Sequence, residues 1–232
     1  MLVSVIIPAY NATSTISETI DSIIRQSHDK WEAIVIDDGS TDNLELFLKY
    51  YTDPRIKYFY KKNGGVASAR NYGLSMAQGN LIAFLDSDDI WHTNKLSESI
   101  KQIKTTNADL VFSDILMFDS DINHSFEYKY TEPFDIENDH ERLLVYDYIP
   151  TLTVVVKKSV LEDVGYFDET LFGTEDWDLW IRISKYYKIS YLKMSLSYYR
   201  NSSTGLSKSS RDRHLLEEWK VIGKHIYNND VD

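Results

Sequence analysis

Residues 81–91 read Leu-Ile-Ala-Phe-Leu-Asp-Ser-Asp-Asp-Ile-Trp, an apolar run that ends abruptly in carboxylates. The run from Leu81 to Leu85 predicts a buried strand. Such a strand would deliver Asp86 and Asp88 to the carboxyl edge of a sheet, where open α/β sheets bind ligands. Carboxylates two positions apart repel each other, and a divalent cation that also binds a diphosphate would remove this repulsion. A solvated acidic turn explains this stretch, taken alone, equally well.

Strands and helices alternate in the chain before this stretch. Apolar, β-branched runs predict strands, and apolar residues at helical spacing predict helices between them. Thr15 and Glu18 have the spacing of a capping box for the first helix. The expected strands are Leu2–Ile7, Trp31–Asp37, Ile56–Tyr60 and Leu81–Leu85. Three helices are expected between them: one near 16–24, one that ends at Tyr51, and one from Val66 to Ala77. This order predicts an α/β protein with a mostly parallel central sheet flanked by helices.

The pattern is looser after Trp91. Residues 119–139 do not indicate one structure, and a hairpin, a mobile loop or a flap on the acceptor side all remain open. The further expected elements are helices at 95–105, 159–164, 176–187 and 211–227, and strands at 109–117, 151–156 and 189–192.

Composition limits the class of protein. The 232 residues carry a net charge of −11, which argues against nucleic acid or an anionic lipid surface as the main partner. The absence of cysteine excludes disulfides and thiolate chemistry. The N-terminus has no basic region or cleavage site, and no apolar run approaches the ~18 residues of a spanning helix. We therefore expect a cytoplasmic protein without a membrane span, and leave open peripheral association with the inner face of the membrane and a homo-oligomeric state.

Polar loops follow each predicted strand and should meet at one edge of the sheet. They are Pro8-Ala9-Tyr10-Asn11, Asp37-Asp38-Gly39-Ser40, Asn63-Gly64-Gly65 and Asp86-Ser87-Asp88-Asp89. Either Asp37 or Asp38 could accept hydrogen bonds from a base or ribose. An Asx turn with Gly39 in the left-handed conformation is the commoner explanation of this pair of aspartates. Arg70 could bind a phosphate, but taken alone it is more typical of a solvated helix arginine.

A second informative stretch opens the helix expected at 176–187. Glu175 and Asp176 precede Trp177 and Trp180. Acidic residues in a first helical turn often only complement the helix dipole. Indoles beside a carboxylate instead suit a sugar ring next to a general base. Further along, Arg200 and the Gly205-Leu206-Ser207 segment could supply a cation and a loop that closes over a pyrophosphate.

Together these segments resemble the family 2 glycosyltransferases, which have the GT-A fold. The resemblance covers about residues 2–207 in order. It rests on Ser4-Val5-Ile6-Ile7-Pro8-Ala9-Tyr10-Asn11, Asp37-Asp38-Gly39-Ser40-Thr41-Asp42, Gly65-Val66-Ala67-Ser68-Ala69-Arg70-Asn71, Phe84-Leu85-Asp86-Ser87-Asp88-Asp89 and Thr174-Glu175-Asp176-Trp177. It implies a donor-binding half at 1–107 and, within the same domain, an acceptor-binding half with a C-terminal helix at 108–232. The mostly parallel central sheet would be joined by a smaller mixed region on the acceptor side.

The resemblance also implies roles for individual residues. Asp86-Ser87-Asp88 is similar to the family's Asp-x-Asp motif, so Asp88 would be the main ligand of Mn²⁺ or Mg²⁺ and Asp86 would touch the ribose or the ion. Asp176 would be the catalytic base, with Glu175 and Trp177 binding the acceptor. Asp89 is expected to assist this site or to cap the next helix. The nucleotide-sugar site would comprise Pro8, Ala9, Tyr10, Asn11, Asp38 (to uracil), Gly65, Arg70 (near the diphosphate), Asp86, Ser87 and Arg200.

The implied reaction is the transfer of a sugar, with inversion, from a nucleotide-diphosphate donor, taken to be UDP-linked, to a glycan, lipid-linked or protein-linked acceptor. The Gln-x-x-Arg-Trp motif of processive synthases is absent, which favours addition of a single sugar. One alternative is a non-catalytic nucleotide-sugar-binding subunit that scaffolds an active partner. Another is a receiver-like phosphoacceptor domain, but its acid pair would follow the first strand, where this chain has Pro8-Ala9-Tyr10.

Overall fold

A computed structural model describes residues 1–119, 121–128, 139–201 and 211–226. Most of the 119–139 segment and the Gly205-Leu206-Ser207 segment lie outside the described residues. The strands are β1 (Val3–Ala9), β2 (Trp31–Asp38), β3 (Ile56–Lys61), β4 (Leu81–Phe84), β5 (Ile90–Trp91), β6 (Leu110–Phe118), β7 (Phe126–Tyr128), β8 (Val155–Lys157) and β9 (Ile189–Arg200). The helices are α1 (Ile16–Ile24), α2 (Leu44–Leu48), α3 (Val66–Met76), α4 (Lys95–Thr106), α5 (Asp139–Leu143), α6 (Lys158–Val164), α7 (Glu175–Ser184) and α8 (Arg211–Ile226).

All nine strands belong to one sheet, in which β3, β2, β1, β4, β8, β6, β9 and β5 are neighbours in that order and β7 pairs with β6. The first four strands of this order are parallel to one another. β6 and β9 are also parallel, whereas β8 runs antiparallel to both β4 and β6. The predicted α/β class with a mostly parallel sheet is confirmed, and its carboxyl edge gathers the ends of β1, β2 and β4.

Two apolar layers cover the sheet. Helices α1, α2 and α4 pack on one face, and α3, α6 and α7 pack on the other. Helix α3 lies very close to the strands, because a Cβ atom on Gly73 would come within 2.6 Å of the Ile6 side chain. Both strands β1 and β2 are buried along their whole length, so their apolar residues follow one another without alternation, interrupted only by the buried Ser4 and Glu32 and by the two aspartates that end β2. Within the described residues, no helix combines the length and the apolar character needed to cross a membrane.

Three local predictions were wrong. The expected capping box does not form, because Thr15 Oγ1 donates to the carbonyl of Ser87 and Glu18 pairs with Arg200. The strand expected at 151–156 begins only at Val155, since residues 151–153 form a 3₁₀ turn. The strand expected at 189–192 continues to Arg200, because irregular pairing around Asp114 shifts its register and interrupts the alternation of side chains.

Helix α4 buries a lysine at its first position. Lys95 has no exposed surface and lies beneath the sheet with its Nζ donating to the carbonyl of Thr153 at 2.5 Å and to Ser99 Oγ at 3.3 Å. Burial lowers the pKa of Lys95 to about 7. The folded protein therefore carries a neutral amine here at alkaline pH, whereas the unfolded chain carries an ammonium.

This burial predicts a pH-dependent stability. Between about pH 7 and the ordinary lysine pKa of 10.5, the unfolded chain binds a proton that folded Lys95 does not. The free energy of unfolding should therefore rise with pH by up to about 1.4 kcal/mol per pH unit, relative to Lys95→Met. Urea unfolding of both proteins between pH 7 and 9.5 measures this slope. The exposed Lys101→Met is the matched control and should follow the parent, and parallel curves for Lys95→Met and the parent would refute the lowered pKa.

Candidate active site

The loops after β1 and β2 are tied together by short polar contacts. Asn11 has a left-handed backbone with φ of 51°. Its amide N–H donates to Ser40 Oγ at 2.9 Å, and its side-chain oxygen accepts from the Thr41 amide at 2.8 Å. Next to it, Tyr10 is 56% exposed at the carboxyl edge of the sheet. Asn11 thus holds the two loops in register while Tyr10 faces solvent.

The two adjacent aspartates at the end of β2 serve different loops. Asp37 accepts from the Ser40 amide at 2.7 Å while Gly39 has a φ of 82°, which is the turn that the commoner explanation predicted. Asp38 is buried and accepts from the amides of Gly64 at 3.0 Å and Gly65 at 2.8 Å. Lys61 Nζ also reaches Asp38, at 2.7 Å. Asp38 therefore orders the loop that leads into α3, and contact with a base would have to use its remaining lone pairs.

Arg70 is the central cation of the edge. It is 4% exposed, so the interpretation as a solvated helix arginine was wrong. One terminal nitrogen donates to Asp86 Oδ1 at 2.9 Å and the other to Glu175 Oε1 at 2.8 Å. Burial opposes its charge, but the carboxylates of Asp86 and Glu175 raise the pKa of Arg70 overall. A single guanidinium therefore joins the acidic loop after β4 to the first turn of α7.

Glu175 is held on both of its oxygens. Besides the Arg70 contact, its Oε2 accepts from the amide of Gly173, which has a φ of 75°. Glu175 is only 3% exposed. Burial and the charge of Asp176 raise the pKa of Glu175 against the attraction of Arg70. As the side chain stands, an acceptor would reach Glu175 only by competing with these partners.

The acidic stretch after β4 contains two aspartates, Asp88 and Asp89, whose pKa values are raised. Burial, followed by the charge of Asp86, raises the pKa of Asp88 to about 6. Asp89 is buried, and burial together with the charges of Asp88 and Asp86 raises its pKa well above the usual range. The Oδ1 atom of Asp89 accepts from the Arg200 amide at 2.8 Å, while its Oδ2 has no hydrogen-bond partner. Of the two roles expected for Asp89, the cap of the next helix was wrong, since Asp89 binds the end of β9 instead. Its assistance to the site stays a prediction.

Arg200, at the end of β9, contacts the acidic stretch and helix α1. Its Nε donates to the carbonyl of Asp88 at 2.8 Å, and a terminal nitrogen reaches Glu18 at 3.0 Å. The guanidinium also lies 4.5 Å from the ring centroid of Phe118. The fold therefore brings Arg200, from late in the chain, against the backbone of the acidic stretch.

Asp176 lies in the first turn of α7, directly after Glu175. Its Oδ2 accepts from Thr151 Oγ1 at 2.5 Å, and its Oδ1 accepts from the Trp177 amide at 2.9 Å. Asp176 as a whole is half-buried, unlike the buried Glu175 before it. Thr151 could not be recognised from the sequence, because a threonine in the stretch Thr151-Leu152-Thr153 carries no local signal of a contact with a residue 25 positions away.

The two indoles do not form an exposed platform for a sugar. Trp177 is 4% exposed and donates through Nε1 to the carbonyl of Leu143 at 2.6 Å. Trp180 is fully buried and donates to the carbonyl of Ile149 at 3.1 Å. Both rings therefore belong to the core on the α7 face of the sheet, and the expected contact between Trp177 and an acceptor does not fit this position.

Among the residues that the structure describes, no three His, Asp or Glu side chains are grouped as a protein-only metal site. Asp86 and Asp88 nevertheless fit a metal that takes its other ligands from a substrate, because Mn²⁺ and Mg²⁺ commonly combine one or two carboxylates with phosphate oxygens. Burial and then the charge of Asp86 raise the pKa of Asp88, and a divalent cation would offset the repulsion between the two carboxylates.

The sequence model of the family described as Glycosyl transferase family 2 matches residues 4–165, more than half of the chain. The chain belongs to this family. It is 36% identical over 230 residues to an Escherichia coli protein, UDP-Glc:alpha-D-GlcNAc-diphosphoundecaprenol beta-1,3-glucosyltransferase WfgD. That match covers 98% of this chain and 87% of WfgD.

Solved structures of glycosyltransferases have the same fold. The structure of S. aureus TarS 1–349 in complex with UDP-GlcNAc superposes with a TM-score of 0.77 at 23% identity, over 100% of this chain and 68% of that fragment. The mannosyltransferase PcManGT from Pyrobaculum calidifontis, in complex with GDP-Man and Mn2+, superposes with a TM-score of 0.68 at 21% identity, over 94% of this chain and 63% of PcManGT. The chain is thus a family 2 glycosyltransferase with the GT-A fold.

The Arg70 contacts predict a large loss of stability when the guanidinium is removed. Arg70→Met would leave the buried Glu175 without its cation, and we expect the free energy of unfolding to fall by about 3 kcal/mol. The exposed Arg25, which lies 3.9 Å from Asp21, is the control, and Arg25→Met should change stability by about 0.5 kcal/mol or less. Urea unfolding followed by tryptophan fluorescence measures both, and equal small effects would contradict the bridging role of Arg70.

Proposed function

We propose that this glycosyltransferase moves one sugar, with inversion, from a UDP-sugar to a hydroxyl of a lipid-diphosphate-linked glycan. The observation that carries the proposal is the guanidinium of Arg70 between Asp86 and Glu175. It places the acidic pair, which suits a diphosphate and a cation, beside Asp176, which suits a general base. A sugar transfer requires these two kinds of group on opposite sides of one anomeric carbon.

The donor would lie across the carboxyl edge of the sheet. Tyr10 is exposed there, directly after Pro8 and Ala9 at the end of β1, and Asp38 ends the neighbouring strand β2. Asn11 bonds the loop after β1 to the loop after β2. Gly65 has a φ of 89° and space on its Cα, so the chain can pass close to a phosphate at the start of α3. Ser87 and Arg200 flank the acidic stretch and would complete the diphosphate side of the site.

Asp86 and Asp88 would hold Mn²⁺ or Mg²⁺ together with the diphosphate oxygens. When bound, the cation supplies Lewis acidity and neutralises the charge that develops on the leaving diphosphate. The buried Arg70 adds fixed positive charge behind the pair, and Arg200 adds a second guanidinium on the other side. Both arginines would hold Asp86 and the backbone of Asp88 in place while negative charge grows in front of them.

Asp176 would accept the proton of the acceptor hydroxyl as that oxygen attacks the anomeric carbon. Attack on the face opposite the leaving group inverts the anomeric centre. Glu175 would orient the acceptor side of the site indirectly, through Arg70 and the Gly173 loop. In this proposal the donor would lie mainly on residues 1–107, with Arg200 as an added contact, and the acceptor would lie on the remainder of 108–232.

The proposed acceptor and donor sugar are based on the name of a relative. WfgD acts on GlcNAc-diphosphoundecaprenol with UDP-Glc, and the match spans nearly all of this chain. We therefore propose UDP-glucose as the donor and a membrane-borne acceptor of the same chemical type. This acceptor would require the protein to work at the inner face of the membrane as a peripheral enzyme.

Donor selectivity predicts a ligand-dependent stabilisation. UDP-glucose with Mn²⁺ should stabilise the protein by about 2.7 kcal/mol at a hundredfold excess over the dissociation constant. A thermal-shift panel of UDP-glucose, UDP-GlcNAc and GDP-mannose, each with and without Mn²⁺, measures this. Asp88→Ala should remove the metal-dependent part of the shift. An equal shift with GDP-mannose would contradict UDP selectivity, and equal shifts without Mn²⁺ would contradict the metal site.

The assignment of the base predicts that binding and transfer can be separated. Asp176→Asn should keep the UDP-glucose shift but lower transfer to a synthetic GlcNAc-diphosphate-alkyl acceptor by about 10²- to 10⁴-fold. The exposed Asp29→Asn is the control and should match the parent. Near-normal transfer by Asp176→Asn would refute the assignment. Donor binding by the parent without transfer to any acceptor would favour the non-catalytic scaffold instead.

A further inference from the structure

A short turn lies directly behind the carboxylate of Asp176. Residues 151–153 form a 3₁₀ turn between Pro150 and β8. Thr151 is buried, and its hydroxyl donates to Asp176 Oδ2. Rotation of the carboxylate is thereby restricted, because the Trp177 amide holds the other oxygen at 2.9 Å.

The underside of this turn is held by the segment that follows the acidic stretch. The indole Nε1 of Trp91 donates to the carbonyl of Leu152 at 2.9 Å, and Ser197 Oγ approaches the same oxygen at 3.3 Å. Lys95 Nζ donates to the carbonyl of Thr153. Trp91 and Lys95, which follow Asp88 by three and seven residues, therefore hold the backbone of the turn that positions Thr151.

A lysine at this buried contact with the Thr153 carbonyl lowers the stability of the folded protein. A buried amine loses hydration, and a methionine of similar length would fill the space without that loss. The hydrogen bonds of Lys95 go to a carbonyl and to Ser99, and no carboxylate approaches its Nζ among the described residues. The lowered pKa of Lys95 reflects the same desolvation. Stability alone is therefore a poor reason for a lysine at the start of α4.

We propose that Lys95 and Thr151 are positioning residues for the base: Lys95 holds the 151–153 turn, and the turn holds the Thr151 hydroxyl on Asp176. This inference rests on the proposed role of Asp176. The hydroxyl keeps one carboxylate oxygen occupied and the plane of the carboxylate fixed, so that the remaining lone pairs point to the acceptor. Because Trp91 and Lys95 belong to the chain just after Asp88, the base and the diphosphate site share one support.

The hydroxyl is tested by a matched pair of substitutions. Thr151→Val keeps the shape but removes the donor, and should lower kcat by about 10- to 100-fold with the KM for UDP-glucose within about twofold of the parent. Thr151→Ser restores the donor and should recover kcat to within about threefold. Thr106→Val, which removes a hydroxyl bonded to a helix carbonyl in α4, is the control and should match the parent.

The lysine is tested by a double-mutant cycle in the same assay, with UDP-glucose, Mn²⁺ and the GlcNAc-diphosphate-alkyl acceptor. Lys95→Met should fold, keep the UDP-glucose thermal shift and lower kcat about tenfold. If Lys95 acts through Thr151, the double variant Lys95→Met/Thr151→Val should be no slower than Thr151→Val alone. A multiplicative loss, or a Lys95→Met protein that does not fold, would overturn the positioning role of Lys95.

The possible failures can be told apart. Full activity of Thr151→Val together with inactive Asp176→Asn would overturn this inference and leave the proposed base in place. Full activity of Asp176→Asn would overturn the base itself. A rise in the KM for UDP-glucose in Thr151→Val without loss of kcat would show that the turn serves donor binding and would likewise overturn the inference.

Discussion

The buried guanidinium of Arg70 is the constraint on which the rest of the site depends. It connects a loop at the end of β4 to the first turn of α7, two parts of the chain that share no backbone pairing. A buried arginine requires paired carboxylates, and the partners here, Asp86 and Glu175, are themselves buried or half-buried. Arg70 therefore ties the first turn of α7 to the sheet edge, in addition to the Gly173 amide that holds Glu175 and the apolar packing of α7 against the sheet.

Around that cation the protein accumulates more negative charge than it neutralises. Burial and mutual repulsion raise the pKa of Asp88 and of Asp89, and one oxygen of Asp89 has no hydrogen-bond partner. Such an arrangement lowers stability in the isolated chain, since each charge is partly desolvated near another of the same sign. A cationic ligand would reverse the sign of this interaction.

The edge is otherwise rigid through short polar bonds to backbone groups. Asn11 fixes the loop after β1 against the loop after β2, and Asp38 orders the Gly64-Gly65 turn. On the acceptor side, the 151–153 turn is held from below by Trp91 and Lys95. Geometry of this kind lets side chains act without first being ordered by substrate, which reduces the entropic cost of reaching the reactive arrangement.

The sequence by itself determined the α/β class, the order of strands and helices along the first half of the chain and the places where polar loops end the strands. Apolar runs and helical spacing are local patterns that report burial directly. It also indicated the family through Asp86-Ser87-Asp88 and Glu175-Asp176. Only the tertiary structure decided that Arg70 is buried, that Trp177 belongs to the core and that Thr151 contacts Asp176. Those outcomes depend on partners distant in sequence, because burial and ion pairing are set by packing between elements and leave no periodic trace in the chain.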